Sequence, residues 1–98
     1  MDKGQQNTIF NQAIDFFGFE SQKIMAIEEM SELTKELTKE LRNRGNVENI
    51  ADELADVEIM LAQLKIIYNI HELVEQHKDF KLNRLAASIE KLKTERKS

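Results

Sequence analysis

Apolar residues recur every three or four positions along most of the chain, which is the spacing of an amphipathic helix. Proline is absent and only three glycines are present, so few positions can interrupt a helix. The pattern predicts an all-α fold. Its four helices are expected over about Thr8–Phe17, Ser21–Asn43, Asn46–Tyr68 and Asn69–Lys93, followed by a short polar tail.

A few residues are expected to set the helix ends. Gly18 should stop the first helix, and Gly45 lies where the C-terminal glycine of the second belongs. Asn46 is a favourable N-cap for the third helix, and Asn69 with Glu72 resembles a capping box before the fourth. The short connections after the second and third helices predict antiparallel neighbours.

Apolar stripes on the three longer helices define the expected core. The second helix carries Ile27, Met30, Leu33 or Thr34, Leu37 and Leu41. The third carries Leu54, Val57, Met60, Leu61, Leu64, Ile67 and Tyr68. The fourth carries Leu82, Leu85, Ile89 and Leu92.

Size and charge narrow the class of protein. The 98 residues fit one domain, which would bury only about 60–65% of its unfolded surface, so packing against a second copy is expected. The net charge is −4 and no strongly basic face is evident, which argues against nucleic acid as a partner. No apolar run is long enough to span a membrane. The absence of cysteine excludes thiolate metal sites and suits a reducing cytoplasm.

One acidic residue interrupts the stripe of the third helix. Glu53 is the first residue of the row that continues through Val57 and Met60. An apolar residue is expected at position 53. Asp56 lies at the edge of the same arc, on the same side of the helix as Glu53. Two carboxylates on a buried seam need a cation, which is either a lysine or arginine or a metal ion.

The second helix supplies further carboxylates. Glu28, Glu29, Glu32 and Glu36 lie close together on its surface, and Glu29 borders the apolar stripe. If the two helices pack antiparallel, these side chains approach those of the third helix and form a set of hard oxygen ligands for Mg²⁺ or Mn²⁺. The alternatives are a solvated acidic face on the second helix and, for Glu53, a buried salt bridge or an edge residue whose carboxylate reaches solvent. Asp52 and Asp56 could also be favourable charges in the early turns of the third helix.

Glu28-Glu29-Met30-Ser31-Glu32, twenty further residues and Glu53-Leu54-Ala55-Asp56 resemble the EExxE…ExxD signature of MazG-like, all-α nucleoside triphosphate pyrophosphohydrolases. The similarity covers about residues 24–68 and is closest to the short single-domain members of bacteria and phages. It implies a four-helix fold that works as a homodimer or a dimer of dimers.

The resemblance also implies a site. Mg²⁺, which Mn²⁺ can replace, would be held by Glu29, Glu32, Glu53 and Asp56. Glu53 and Glu28 are the candidate catalytic residues, with Glu28 positioning water or supporting the ligands. The implied reaction breaks the bond between the α- and β-phosphates of a nucleoside triphosphate and gives a nucleoside monophosphate and pyrophosphate.

Other residues are candidates for substrate binding. Lys81 and Arg84 are about one turn apart on the fourth helix and, by similarity to basic positions of the family, are expected to contact phosphates; a solvated basic face is the alternative. The aromatic residues that could stack on a base, although core packing is their usual role, are Phe10, Phe17, Phe19 and Tyr68.

Two other classes of protein are alternatives to a pyrophosphohydrolase. A diiron bundle uses Glu-x-x-His pairs, and neither His71 nor His77 has a glutamate three residues before it. A helical interaction or regulatory module without turnover would leave the carboxylates solvated or salt-bridged, and Mg²⁺ would then not change its stability.

Overall fold

The computed structural model describes residues 1–97, which form four α-helices and no strand. The helices are α1 (Lys3–Phe17), α2 (Phe19–Leu41), α3 (Val47–Tyr68) and α4 (His71–Lys97). The expected all-α class and the number of helices are therefore confirmed over these residues. None of the four helices is both long and apolar enough to cross a membrane.

Helix α1 begins five residues before its predicted start. The side chain of Asp2 accepts the backbone N–H of Gln5 at 2.8 Å, and the Gln5 side chain accepts the backbone N–H of Asp2 at 2.9 Å. This reciprocal capping box starts the helix in a polar segment that has no apolar period to reveal it. Gly18 ends α1 with φ of 93°, which confirms the prediction for that glycine.

The connection between α2 and α3 differs from the prediction at Gly45. Helix α2 ends at Leu41, and the left-handed residue after it is Asn43, with φ of 60°. Gly45 instead lies so close to α2 that a Cβ atom on it would be 2.8 Å from the backbone nitrogen of Glu40. Asn46 caps α3 as predicted, because its side chain accepts the backbone N–H of Asn49 at 2.8 Å.

The predicted capping box at Asn69 and Glu72 is wrong. Asn69 is the C-cap of α3 and adopts the left-handed conformation, with φ of 53° and ψ of 49°. The N–H of Ile70 bonds to the carbonyl of Lys65 at 3.0 Å, which completes the end of α3. Helix α4 therefore begins at His71, and it continues through the expected polar tail to Lys97.

Helices α2 and α3 form an antiparallel hairpin that contains most of the buried residues. One buried side-chain hydrogen bond joins the two helices, from Nε2 of Gln22 to Oε1 of Gln63 at 2.7 Å. Helix α1 packs across both helices and contributes the buried Ile14. The other residues buried in the hairpin are Ala26, Glu36, Val57 and Met60.

The apolar stripe predicted for α2 is not part of this core. Most of its members are exposed, with Ile27 61% and Leu41 81% exposed, and Leu33 is half-buried. Helix α4 has no buried residue, and only Val74 on it is half-buried. Among the described helices, α4 contacts α3 alone, and the antiparallel packing expected from the short connection is not seen. One copy of the chain thus leaves two apolar stripes uncovered.

Candidate metal centre

Three carboxylates meet where α2 crosses α3. Glu29 comes from α2, and Glu53 and Asp56 come from successive turns of α3. One carboxylate oxygen of each residue lies within 4.8 Å of the other two, and all three residues are half-buried. These three residues are called the acidic cluster below.

The register of the hairpin accounts for this meeting. Glu29 follows Gln22 by seven residues, and Asp56 precedes Gln63 by seven, so both lie two helical turns from the Gln22–Gln63 hydrogen bond. In antiparallel helices this equal spacing brings Glu29 to the level of Asp56. Glu53 joins them from one turn further along the buried row of α3, the row in which the sequence placed it.

No lysine or arginine in residues 1–97 forms an ion pair with the acidic cluster. The salt bridges of this part of the chain join Lys39 to Glu36 on α2 and two exposed pairs on α4. Moreover, Oε2 of Glu53 is buried and has no hydrogen-bond partner. A buried carboxylate oxygen without a partner is costly, which leaves a defined place for a cation.

Burial and neighbouring charges raise the pKa values of two of the carboxyl groups, Glu29 and Glu53. Burial raises the pKa of Glu29 above its ordinary value of 4.5, and the charges of Asp56 and Glu53 raise it further. Burial and then the charge of Asp56 likewise raise the pKa of Glu53, whereas a hydrogen bond with Glu29 acts in the opposite direction. Glu29 and Glu53 therefore hold protons more tightly than isolated carboxyl groups do, as expected for buried like charges without a counterion.

The donor set fits a hard divalent cation. Carboxylate oxygens are the preferred ligands of Mg²⁺ and Ca²⁺, and oxygens around one Mg²⁺ at about 2.1 Å lie about 3 to 4 Å apart. The three oxygens of the acidic cluster lie within 4.8 Å of one another, which is only slightly wider than this spacing. Three acidic residues here can thus bind a metal ion, and the geometry alone does not select which one.

Two other predicted residues of α2 lie outside this group. Glu32 is exposed and its oxygens are not among those that converge, although its charge is one of the smaller causes of the raised pKa of Glu53. Glu28 is exposed and is not among the residues whose oxygens converge. The structure thus brings together three of the four predicted metal ligands.

The predicted phosphate contacts are not brought to the acidic cluster within one chain. Lys81 and Arg84 lie on the exposed part of α4, which does not contact α2. The guanidinium group of Arg84 lies 5.8 Å from the centre of the Phe80 ring on the same helix.

Several polar residues near the hairpin were missed by the sequence analysis. Gln22 and Gln63 gave no signal, because the apolar pattern does not indicate a buried amide pair. They line a cavity of about 750 Å³ together with two of the four candidate aromatics, Phe10 and Phe17. A second depression, of about 490 Å³ near the end of α2, is lined by Lys35, Thr38, Lys39, Arg42 and Arg44.

Comparison with known proteins finds no relative: no family model, no curated protein and no solved structure matches this chain. The fold and the site therefore define only a broad class. The protein is an all-α helical protein with a half-buried group of three carboxylates, able to hold a metal ion between two antiparallel helices.

Proposed function

We propose that the protein is a MazG-like pyrophosphohydrolase that uses Mg²⁺ to convert a nucleoside triphosphate into a nucleoside monophosphate and pyrophosphate. The observation that carries this proposal is the convergence of Glu29, Glu53 and Asp56 without a lysine or arginine to neutralise them. The same three residues belong to the EExxE…ExxD pattern, which supports the choice of reaction.

The residues have distinct tasks in this reaction. Glu29, Glu53 and Asp56 would hold the ion, and Glu32, which is close enough to affect Glu53, would complete the ligands as the substrate arrives. When bound, Mg²⁺ neutralises phosphate oxygens and lowers the pKa of a coordinated water. Glu28 would orient the water that adds across the α–β phosphoanhydride bond. One water is consumed, and its oxygen and hydrogens are distributed between the two products.

The proposal includes a homodimer or a dimer of dimers. The exposed stripes of α2 and α4 are apolar surfaces of the kind that mark subunit contacts. Helix α4 does not contact α2 within one chain. We therefore expect Lys81 and Arg84 to contact the phosphates of a substrate bound to a second copy. A subunit contact along α4 would therefore complete the site as well as cover its apolar residues.

A helical interaction module without turnover is the second candidate function. The observation that favours it is the exposure of α4, which carries a regular apolar stripe and has no buried residue. In that case the acidic cluster would have no metal to hold, and Mg²⁺ would leave the stability of the protein unchanged.

The test is a panel of ribo- and deoxyribonucleoside triphosphates incubated with Mg²⁺, with pyrophosphate and orthophosphate measured separately. The proposal requires pyrophosphate release that depends on the metal and disappears in Glu53→Gln. Glu48→Gln is the matched control, because Glu48 is an exposed glutamate of the same helix outside the acidic cluster. Release of orthophosphate, or of neither product, would refute the proposed reaction.

A further inference from the structure

The cavity beside the hairpin combines apolar walls with buried amides. Phe10, Phe17 and Ile59 form apolar parts of its wall. Its polar lining consists of the buried Gln22 and Gln63 and the exposed Gln6 and Glu58. Its volume of about 750 Å³ lies within the range of small-molecule sites. Apolar walls with a few fixed polar groups are the usual construction of such sites.

The two amides are deeply buried for polar side chains. Gln22 is 6% exposed and Gln63 is 4% exposed. Their mutual hydrogen bond uses one N–H donor of Gln22 and one lone pair of Gln63. The Nε2 group of Gln63 donates a hydrogen bond to the sulfur of Met60 at 3.8 Å. Sulfur is a weak acceptor, and Oε1 of Gln22 accepts no hydrogen bond from residues 1–97.

The pair therefore retains several hydrogen-bonding groups, which are Oε1 and the second N–H of Gln22, and one N–H and the second lone pair of Gln63. These remaining groups can hydrogen-bond to a flat ring whose edge carries both a donor and an acceptor. The edges of nucleobases have this pattern, and the faces of the bases suit the aromatic and aliphatic walls. A purely apolar ligand would leave the remaining donors and acceptors of the two amides without partners, which disfavours it.

The position of the cavity agrees with a nucleotide ligand. Gln22 and Gln63 lie two helical turns, or about 10 Å, from Glu29 and Asp56 along their helices. The cavity also reaches Ala55, the sequence neighbour of Asp56. A nucleotide can therefore place its base between the aromatic residues and the amides while its phosphates extend toward the acidic cluster.

We infer that this cavity binds the nucleobase of the substrate and that Gln22 and Gln63 determine which base is accepted. The inference rests on the proposed function for its substrate, but binding of the base alone can be measured without turnover. The competing explanation is structural, since a buried amide pair can also simply fix the register of two helices.

Side-chain amide resonances separate binding from turnover. Free nucleosides (adenosine, guanosine, cytidine, uridine and thymidine) are added to the ¹⁵N-labelled protein, and the amide signals of Gln22 and Gln63 are followed by NMR. At least one nucleoside should shift both signals in a saturable way. The amide of Gln76, exposed on α4, is the internal control and should not move. If no nucleoside moves the two buried amides, the inference is wrong, whether or not triphosphates are cleaved.

Two variants then test the assignment of specificity. Gln63→Met and Gln22→Leu remove the amides with little change in volume, and their kcat/KM values are compared across the triphosphate panel. The ratio between the best and the worst base should fall by about tenfold or more. Gln76→Leu should leave the ratio unchanged. If both cavity variants melt at a lower temperature but keep the parental ratio, the pair is only structural and the inference fails.

The outcomes also separate this inference from the proposed function. Shifts of the two amides in a protein that cleaves no triphosphate would support the base site and overturn the reaction. Metal-dependent pyrophosphate release at equal rates for all bases, with no shift of the two amide signals, would support the reaction and overturn the base site.

Discussion

Carboxylate oxygens of Glu29 on α2 and Asp56 on α3 lie within 4.8 Å of each other across the hairpin, and the charge of Asp56 adds to the burial that raises the pKa of Glu29. Their approach follows from the hydrogen bond between Gln22 and Gln63, which sets the register two turns away. The hairpin thus holds like charges together, and a divalent cation is the species that would best stabilise the arrangement.

Replacing Glu53 with glutamine should separate catalysis from folding. We expect pyrophosphate release to fall by about 100-fold or more, because the substitution removes a charged ligand of the metal. The metal-free variant should be no less stable than the parent, since one of the repelling charges is removed and the shape is kept. Steady-state kinetics and urea denaturation measure the two effects.

Glu48→Gln should change neither the rate of pyrophosphate release nor the free energy of unfolding appreciably. It controls for the loss of one surface charge. Unfolding of Glu53→Gln would mean that Glu53 is a structural partner in the hairpin. It would then have to be removed from the proposed ligands.

The stability of the protein should depend on pH in opposite ways with and without metal. In the metal-free protein the pKa values of Glu29 and Glu53 lie above the ordinary 4.5, so folding favours their protonated forms. The contribution of these groups to stability is therefore fully present below about pH 4.5 and is lost as the pH rises through the raised values.

Mg²⁺ binds the ionised carboxylates and must displace these protons. The rise in melting temperature caused by about 5 mM Mg²⁺ should accordingly be small near pH 5 and larger near pH 8. Differential scanning fluorimetry at several pH values checks this. A shift that is absent at every pH would favour the interaction module over the enzyme.

Gly45→Ala should weaken the hairpin that carries the acidic cluster. A methyl group there would meet the backbone nitrogen of Glu40 at 2.8 Å, and backbone atoms cannot rotate away. We expect a loss of about 1–3 kcal/mol in the free energy of unfolding. Gly4→Ala is the comparison, because its nearest neighbour is a flexible side-chain oxygen of Asp2 at 3.3 Å and alanine favours the helix. Equal effects of the two substitutions on urea denaturation would contradict this account of Gly45.

The apolar stripe of α4 should be needed for self-association. Ile89→Lys places a charge in that stripe, whereas Ala87→Lys places the same charge on the other side of the same helix. Sedimentation velocity should show a smaller species for Ile89→Lys and the parental species for Ala87→Lys. A parental protein that is monomeric at all concentrations, or variants that behave alike, would remove α4 from the subunit contact.

The sequence predicted best those features that depend on local chemistry. Gly18 and Asn46 end and begin helices as expected, because a left-handed glycine and a side-chain cap are local requirements. Asn69 was misread, since asparagine suits both an N-cap and a left-handed C-cap, and only the path of the chain selects between them.

The anomalous position of Glu53 was also visible in the sequence, because an acidic residue broke an otherwise apolar row. The face that α2 buries was not visible. Ile27 and Leu41 are more apolar than Gln22 and Glu36, yet the latter two are buried. A pattern of apolar residues shows which faces avoid water, but it does not show whether the chain itself or another copy covers them.

Binding of Mn²⁺ measures the central claim most directly, because the electron paramagnetic resonance signal of the free ion decreases when the ion is bound. The parental protein should bind Mn²⁺ at micromolar to millimolar concentrations, and Mg²⁺ should compete for the same site. Affinity should fall by about tenfold or more in Glu53→Gln and remain unchanged in Glu48→Gln. Equal affinity in all three proteins, or no binding to the parent at millimolar Mn²⁺, would contradict a metal site formed by Glu29, Glu53 and Asp56.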